Sequence, residues 1–138
     1  DTYVYSIRMA LLSPNEEGGM SAHERGFTTA QLHTRHWVLT QDDGVTDEVN
    51  GEGVVGRFPL LQENGWRDDM QDEYGRIKRG RKCVGTFIYQ SMSGRPNNVS
   101  FEGYIRFVPG SLASPEGDPF EVRVARFPLK TEAEDYLF

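Results

Sequence analysis

Gly51-Glu52-Gly53-Val54-Val55-Gly56 spells G-x-G-x-x-G, a pattern that in dinucleotide-binding folds wraps backbone amides around a pyrophosphate. Arg57 follows at once and would add a cation. The chemistry this suggests is small-anion or nucleotide binding through Gly51, Gly53, Gly56 and Arg57. Such a site needs a strand before the glycines, a helix opening within them, and an acid roughly 20 residues on. A strand precedes here, but Arg57-Phe58-Pro59 does not open a helix, so the aligned amides and dipole of a helix N-terminus are missing. Glu52 also sets a carboxylate inside the loop, where it repels an anion. The competing reading, favoured here, is a glycine-rich bend in which absent Cβ atoms permit positive φ or close backbone approach.

Other residues invite chemistry less strongly. His23, His33 and His36 could ligate a metal, but residues three apart on an extended strand point to opposite faces, so His33 and His36 would share an ion only across a bulge. Cys83 has Arg81 and Lys82 beside it, yet no histidine can be placed as its base, and a small residue at a strand start is the simpler reading. No G-x-S-x-G nucleophile turn is present. No metal and no cofactor is expected. Arg76, Lys78, Arg79, Arg81 and Lys82 put five cations in seven residues, a surface for an acidic partner, RNA or anionic lipid, or simply a solvated run. Trp66 stands among polar residues and is a candidate protein contact, because aromatics concentrate at interface centres. Trp37, in an alternating run, is expected in the core.

The elements that would position these residues are almost all strands. Tyr3, Tyr5, Ile7 and Met9 alternate with Val4, Ser6 and Arg8. Residues 13–26 read as a loop. Residues 28–40 form a second extended run, and Asp43-Gly44 marks a tight hairpin turn into 45–50. Pro59 places 58–61 at an edge or bend. Residues 62–82 read as a surface insertion, acidic first and then basic. Strand signals resume at 84–90, 101–107 and 120–124, with turns or loops at 94–98 and 109–119, and the acidic tail 130–138 could make one turn of helix. No stretch of ten residues carries a convincing amphipathic helix. Six to eight strands with regular turns point to an all-β sandwich.

The 138 residues suit one domain, numbered 1–138, with a composition of 37% hydrophobic and 12% aromatic residues that suits a packed core. A net charge of −6 argues against a general nucleic-acid or acidic-membrane binder. The longest strictly apolar run, Met9 to Leu12, is far short of a membrane span, and no signal-peptide pattern is visible. A single cysteine excludes an internal disulfide and fits a reducing compartment, so a cytoplasmic or nuclear location is expected. The chain begins at Asp1, as an excised domain would.

Several motifs occur together in order: Arg35-His36-Trp37-Val38, the acidic hairpin turn, Gly51 to Gly56 with Phe58-Pro59-Leu60, Phe101-Glu102-Gly103-Tyr104-Ile105-Arg106-Phe107, and Phe120 through Leu129. This series resembles the ApaG domain family over nearly the whole chain. Tyr5-Ser6-Ile7-Arg8-Met9 and Val124-Ala125-Arg126-Phe127-Pro128-Leu129 are most similar to the version found at the C-terminus of plant-type F-box proteins. The resemblance implies a fibronectin type III or immunoglobulin-like sandwich of about seven antiparallel strands, and no enzymatic activity. It implies a substrate-recognition role in a Skp1–cullin–F-box ubiquitin ligase, with a protein substrate as partner and Skp1 reached only through an F-box absent from this chain. The bacterial members, associated with divalent-cation tolerance, imply the anion or pyrophosphate alternative. They usually carry Pro at the position of Glu52 and an acid at that of Arg57, which weakens the transfer.

Overall fold

Alternation of buried and exposed side chains builds two facing antiparallel sheets. The computed structural model describes residues 3–93, 98–128 and 130–131, so the expected turn at 94–97 and the tail beyond 131 lie outside the described residues. In chain order the elements are β1 (Tyr3–Met9), α1 (Ala22–Arg25), β2 (Ala30–Gln41), β3 (Thr46–Glu52), β4 (Leu60–Gln62), β5 (Gly65–Arg67), β6 (Met70–Gln71), β7 (Ile77–Lys78), β8 (Lys82–Val84), β9 (Phe87–Ser93), β10 (Asn98–Pro109), β11 (Phe120–Pro128) and β12 (Lys130–Thr131). The large sheet runs β11-β10-β2-β4-β5-β8, with β3 also paired to β2; the small sheet runs β12-β1-β9, and β6 and β7 form a separate hairpin. Six strands reach seven residues or more, and the rest are short.

The core lies between the sheets. Tyr5, Met9, Phe87 and Tyr89 of the small sheet meet Leu32, Trp37, Leu39, Phe101, Ile105 and Phe107 of the large one. Aromatic rings fill much of it: Tyr5 and Phe101 lie 4.5 Å apart between centroids, and Trp37 and Phe101 4.8 Å. Trp37 is buried, as its place in the alternating run requires. Leu32 and Trp37 both point inward although five residues apart, because the β2–β10 register shifts between Arg106 and Phe107 and leaves His33 as the extra residue.

Two segments depart from the sequence reading. The loop expected at 13–26 contains α1, a single turn opened by Ser21, whose Oγ accepts the Glu24 amide and donates to the Glu24 carboxylate. The 62–82 segment is no mere surface insertion: β5 and β8 extend the large sheet from β4, and Gly65 and Asp69 are buried. Strands of two or three residues show no period, so their pairing is invisible in a sequence pattern.

Candidate functional site

The glycine pattern sits where β3 ends beside β2. Arg35 pairs with Gly51 in the ladder and shares its inward side with Ile105 across β10. Its side chain lies over Gly51 and Nη1 donates to the carbonyls of Glu52 at 3.1 Å and Gly53 at 2.6 Å. A Cβ at Gly51 would stand 2.6 Å from that Nη1, so the missing side chain makes the space the guanidinium occupies. Gly53 has φ +62, and a Cβ there would meet the Arg57 carbonyl oxygen at 2.7 Å and the Phe58 ring at 2.9 Å.

The second half of the motif is a hairpin turn. The Val54 amide donates to the Arg57 carbonyl and the Arg57 amide donates back, both at 2.9 Å, while Val55 and Gly56 carry φ of 51° and 74°. Positive φ at both central residues is the type I′ geometry. Val55 is β-branched and 70% exposed, so it holds a strained backbone without the gain of burial. The surrounding amides are also used. Gly53 donates to the His33 carbonyl, and Phe58 to that of Asp69, both at 2.8 Å. Val54 and Phe58 are buried, and Arg57 Nε lies 3.7 Å from the Asp68 carboxylate. Glu52 projects outward, 4.0 Å from His33 Nε2. The amides that could face an anion are thus largely committed within the chain.

A buried polar cluster lies under the motif. Asp69 is 2% exposed and accepts Arg67 Nε and Nη2 at 2.8 Å each, Gln31 Nε2 at 2.8 Å and the Gly80 amide at 2.9 Å. Gln31 also donates to the Phe58 carbonyl and accepts the Leu112 amide. Burial pushes the Asp69 carboxyl up, but Arg67, Gly80 and Gln31 together outweigh it and hold the group below its usual value. The hydrogen bonds to Asp69 raise Arg67 in turn, against the opposing effect of burial.

The basic run divides in two. Asp72 closes the β6–β7 hairpin, accepting the amides of Tyr74 at 2.9 Å and Arg76 at 2.8 Å, with Arg76 Nε at 3.2 Å and Lys78 Nζ at 4.0 Å. Arg76 also lies over the Tyr74 ring, 5.2 Å from its centroid. Arg79, Arg81 and Lys82 are exposed and hold no ion pair among the described residues. Next to them on β8, Val84 is 91% exposed. Trp66 does not belong to this surface. It is half-buried with its ring edge-on to Phe87, 4.9 Å between centroids, and packs against the core. Polar neighbours in sequence suggested solvent, but period-two pairing turns Trp66 toward Phe87.

Cys83 pairs with Trp66 in the ladder and its Sγ lies 4.0 Å from the Arg81 carbonyl. The histidines are separated by role: His23 is exposed on α1, His33 approaches Glu52, and His36 Nδ1 meets the Asn50 side chain and stacks on Tyr104 at 4.9 Å. Among the described residues no three His, Cys, Asp or Glu side chains converge as a metal site, and no helix is long and apolar enough to cross a membrane.

The ApaG domain profile matches residues 2–66, which include Arg35 and the whole glycine turn. Protein ApaG of Pseudomonas syringae is 46% identical over 98 residues, covering 67% of this chain and 73% of that protein. The chain belongs to the ApaG domain family. The F-box protein SKIP16 of Arabidopsis thaliana is 39% identical over 137 residues, 99% of this ApaG domain but 26% of that protein. The chain thus spans about a quarter of that relative. A Bordetella pertussis protein assigned as ApaA shares the fold, with a TM-score of 0.53 at 23% identity over 97% of this chain and 96% of that one.

The geometry ties the motif residues of this ApaG domain to one another: Arg35 needs Gly51 empty, and the carbonyls it binds belong to Glu52 and Gly53. Sequence reasoning missed Arg35, Gln31 and Asp69. Gln31 had a signal, a polar residue between Ala30 and Leu32 in a strand entering the core.

Proposed function

We propose that this ApaG domain is a non-catalytic protein-interaction module that recognises substrate for an F-box adaptor of a Skp1–cullin–F-box ubiquitin ligase, in the cytoplasm or nucleus. The carrying observation is the exposed run of Arg79, Arg81 and Lys82 with the exposed Val84 that follows on β8. Unpaired cations next to an exposed apolar side chain suit a protein with an acidic, partly apolar surface. The likeness to the F-box protein runs through this segment, and so does the likeness to bacterial ApaG. Skp1 would be engaged only through an F-box outside this chain.

Capture from cell lysate tests the reading, comparing the chain with the folded variant Arg79→Glu/Arg81→Glu/Lys82→Glu. A defined set of proteins held by the wild type and lost from the variant is expected. An identical set on both removes this surface from the account, and nothing above a blank matrix on either removes the module. The anion alternative at Gly51, Gly53, Gly56 and Arg57 has weaker support, since the Gly53, Val54 and Arg57 amides already have carbonyl partners and the Arg57 side chain faces Asp68. Saturable heat with pyrophosphate, ATP or GTP in calorimetry would reinstate it.

A further inference from the structure

Part of the core-facing side of the large sheet is uncovered. Phe120, Val122 and Val124 of β11 pair with Phe107, Ile105 and Gly103 of β10 and so share that side with them. Ile105 is 2% exposed, yet Val122 directly across from it is 44% exposed, an apolar core-facing side chain left open to solvent. The opening is a groove of about 350 Å³ between β1 and β11, floored by Ile7, Met9, Leu61, Ile105, Phe107 and Val124. That is within the roughly 300–1,000 Å³ of ordinary ligand sites. Among the described residues its lining holds no carboxylate. Its two charged members, Arg8 on β1 and Arg123 on β11, are both exposed, and neither side chain is in an ion pair among the described residues.

We propose that this groove binds a small amphipathic monocarboxylate, its unbranched alkyl chain laid along the apolar floor and its carboxylate held at the mouth by Arg8 and Arg123. Strand alternation decides which end of the ligand goes where. Ile7 and Met9 pack toward the core, so Arg8 between them leaves β1 on the solvent side. Arg123 does the same between Val122 and Val124 on β11. Long arginine stems can cover apolar surface at the mouth while the charges stay in water. Guanidinium N–H groups match a carboxylate in geometry and charge. A peptide strand suits the floor less well. The floor is made of apolar side chains, which pair with no amide, so buried peptide groups would lose water without replacement. An alkyl chain has no such groups to satisfy. A methylene takes up roughly the 30 Å³ share of a water molecule, so the groove has room for a chain of about ten carbons. This small-molecule site is independent of the protein-interaction reading, because β11 and β8 are opposite ends of the large sheet.

Calorimetry with hexanoate, octanoate and decanoate, each below its micelle concentration, tests it on the 138-residue chain at neutral pH. Saturable binding is expected, tightening about fourfold for each methylene buried. Arg8→Gln/Arg123→Gln should weaken octanoate about tenfold or more and leave octanol unaffected, because only the carboxylate meets the two cations. Val122→Glu at the exposed rim should weaken both ligands, and Arg79→Glu/Arg81→Glu/Lys82→Glu should weaken neither. Matching thermal midpoints establish that the variants are folded, and the chain-length series needs no variant. No saturation at millimolar decanoate, affinity independent of chain length, or equal octanoate binding by the wild type and the arginine pair overturns the site. Cosedimentation with phosphatidylglycerol vesicles that octanoate does not displace also overturns it, since Arg8 and Arg123 would then be a membrane contact. Lysate capture through the basic run stands or falls separately from all of these results.

Discussion

Gly51→Ala should change sign depending on whether Arg35 is present. Gly51 has no positive φ, so alanine there is conformationally acceptable and would stabilise a strand by roughly 0.5–1 kcal/mol in the absence of other contacts. In the wild type the new Cβ would stand 2.6 Å from Arg35 Nη1 and 2.9 Å from Cζ and Nη2. The guanidinium is the mobile end of its side chain, so it yields before the backbone does. Yielding breaks its hydrogen bonds to the Glu52 and Gly53 carbonyls. Hydrogen bonds to a charged group contribute about 1.5–3 kcal/mol when buried, and half-burial of Arg35 brings the pair to about 2–3 kcal/mol together. The net expectation is a loss of about 1–2 kcal/mol in the wild type, and a gain of about 0.5–1 kcal/mol in an Arg35→Ala background. The coupling is then about 2–3 kcal/mol, well above the scatter of independent sites. Urea unfolding of the four proteins, followed by fluorescence of Trp37 and Trp66, measures it. The same Gly51→Ala effect in both backgrounds would refute the claim that the glycine exists to seat the arginine.

Asp69→Ala should cost about 3–5 kcal/mol by leaving Arg67 and Gln31 without their shared acceptor, read as a shift of the urea midpoint. Because the folded Asp69 carboxyl is held below its ordinary value near ~4, its contribution is fully present above that value and is lost as pH falls through the lower folded value. The gap in stability between the wild type and Asp69→Asn should therefore narrow below about pH 4, and a gap that is constant from neutral pH to pH 2 would contradict this. Gly53→Val places a side chain against backbone at φ +62 and should destabilise by roughly 2 kcal/mol or more whether or not pyrophosphate is present; an unchanged thermal midpoint would be against it. Val55→Asn should stabilise the fold by about 1 kcal/mol, read as a higher midpoint, since asparagine tolerates left-handed backbone and Val55 is largely exposed. A lower midpoint would mean that Val55 makes packing contacts worth more than its strain.

The long strands were legible because their side chains alternate: Phe101, Ile105 and Phe107 are buried and Arg106 is not. Asp43-Gly44 marked its turn, where the Gln41 amide donates to the Val45 carbonyl. The phase across β2 was not legible, because the bulge at His33 is a matter of pairing with β10 and not of residue type. Asp69 and Arg67 read as solvated because each alone would be, and their burial depends on partners brought from 31 and 80. Trp66 was misplaced for the related reason that its aromatic partner, Phe87, lies on β9 in the facing sheet. The glycine pattern was visible at once, but its meaning depended on Arg35, whose inward side follows from register.

Amide hydrogen exchange resolved by residue tests most directly that the glycine turn is closed upon itself. The account expects strong protection of Gly53, Val54, Arg57 and Phe58 in the free protein, unaltered by millimolar pyrophosphate, because each amide already has a carbonyl partner within the chain. Rapid exchange at these four amides, with protection appearing only when pyrophosphate is added, would contradict it and restore the motif as an anion site.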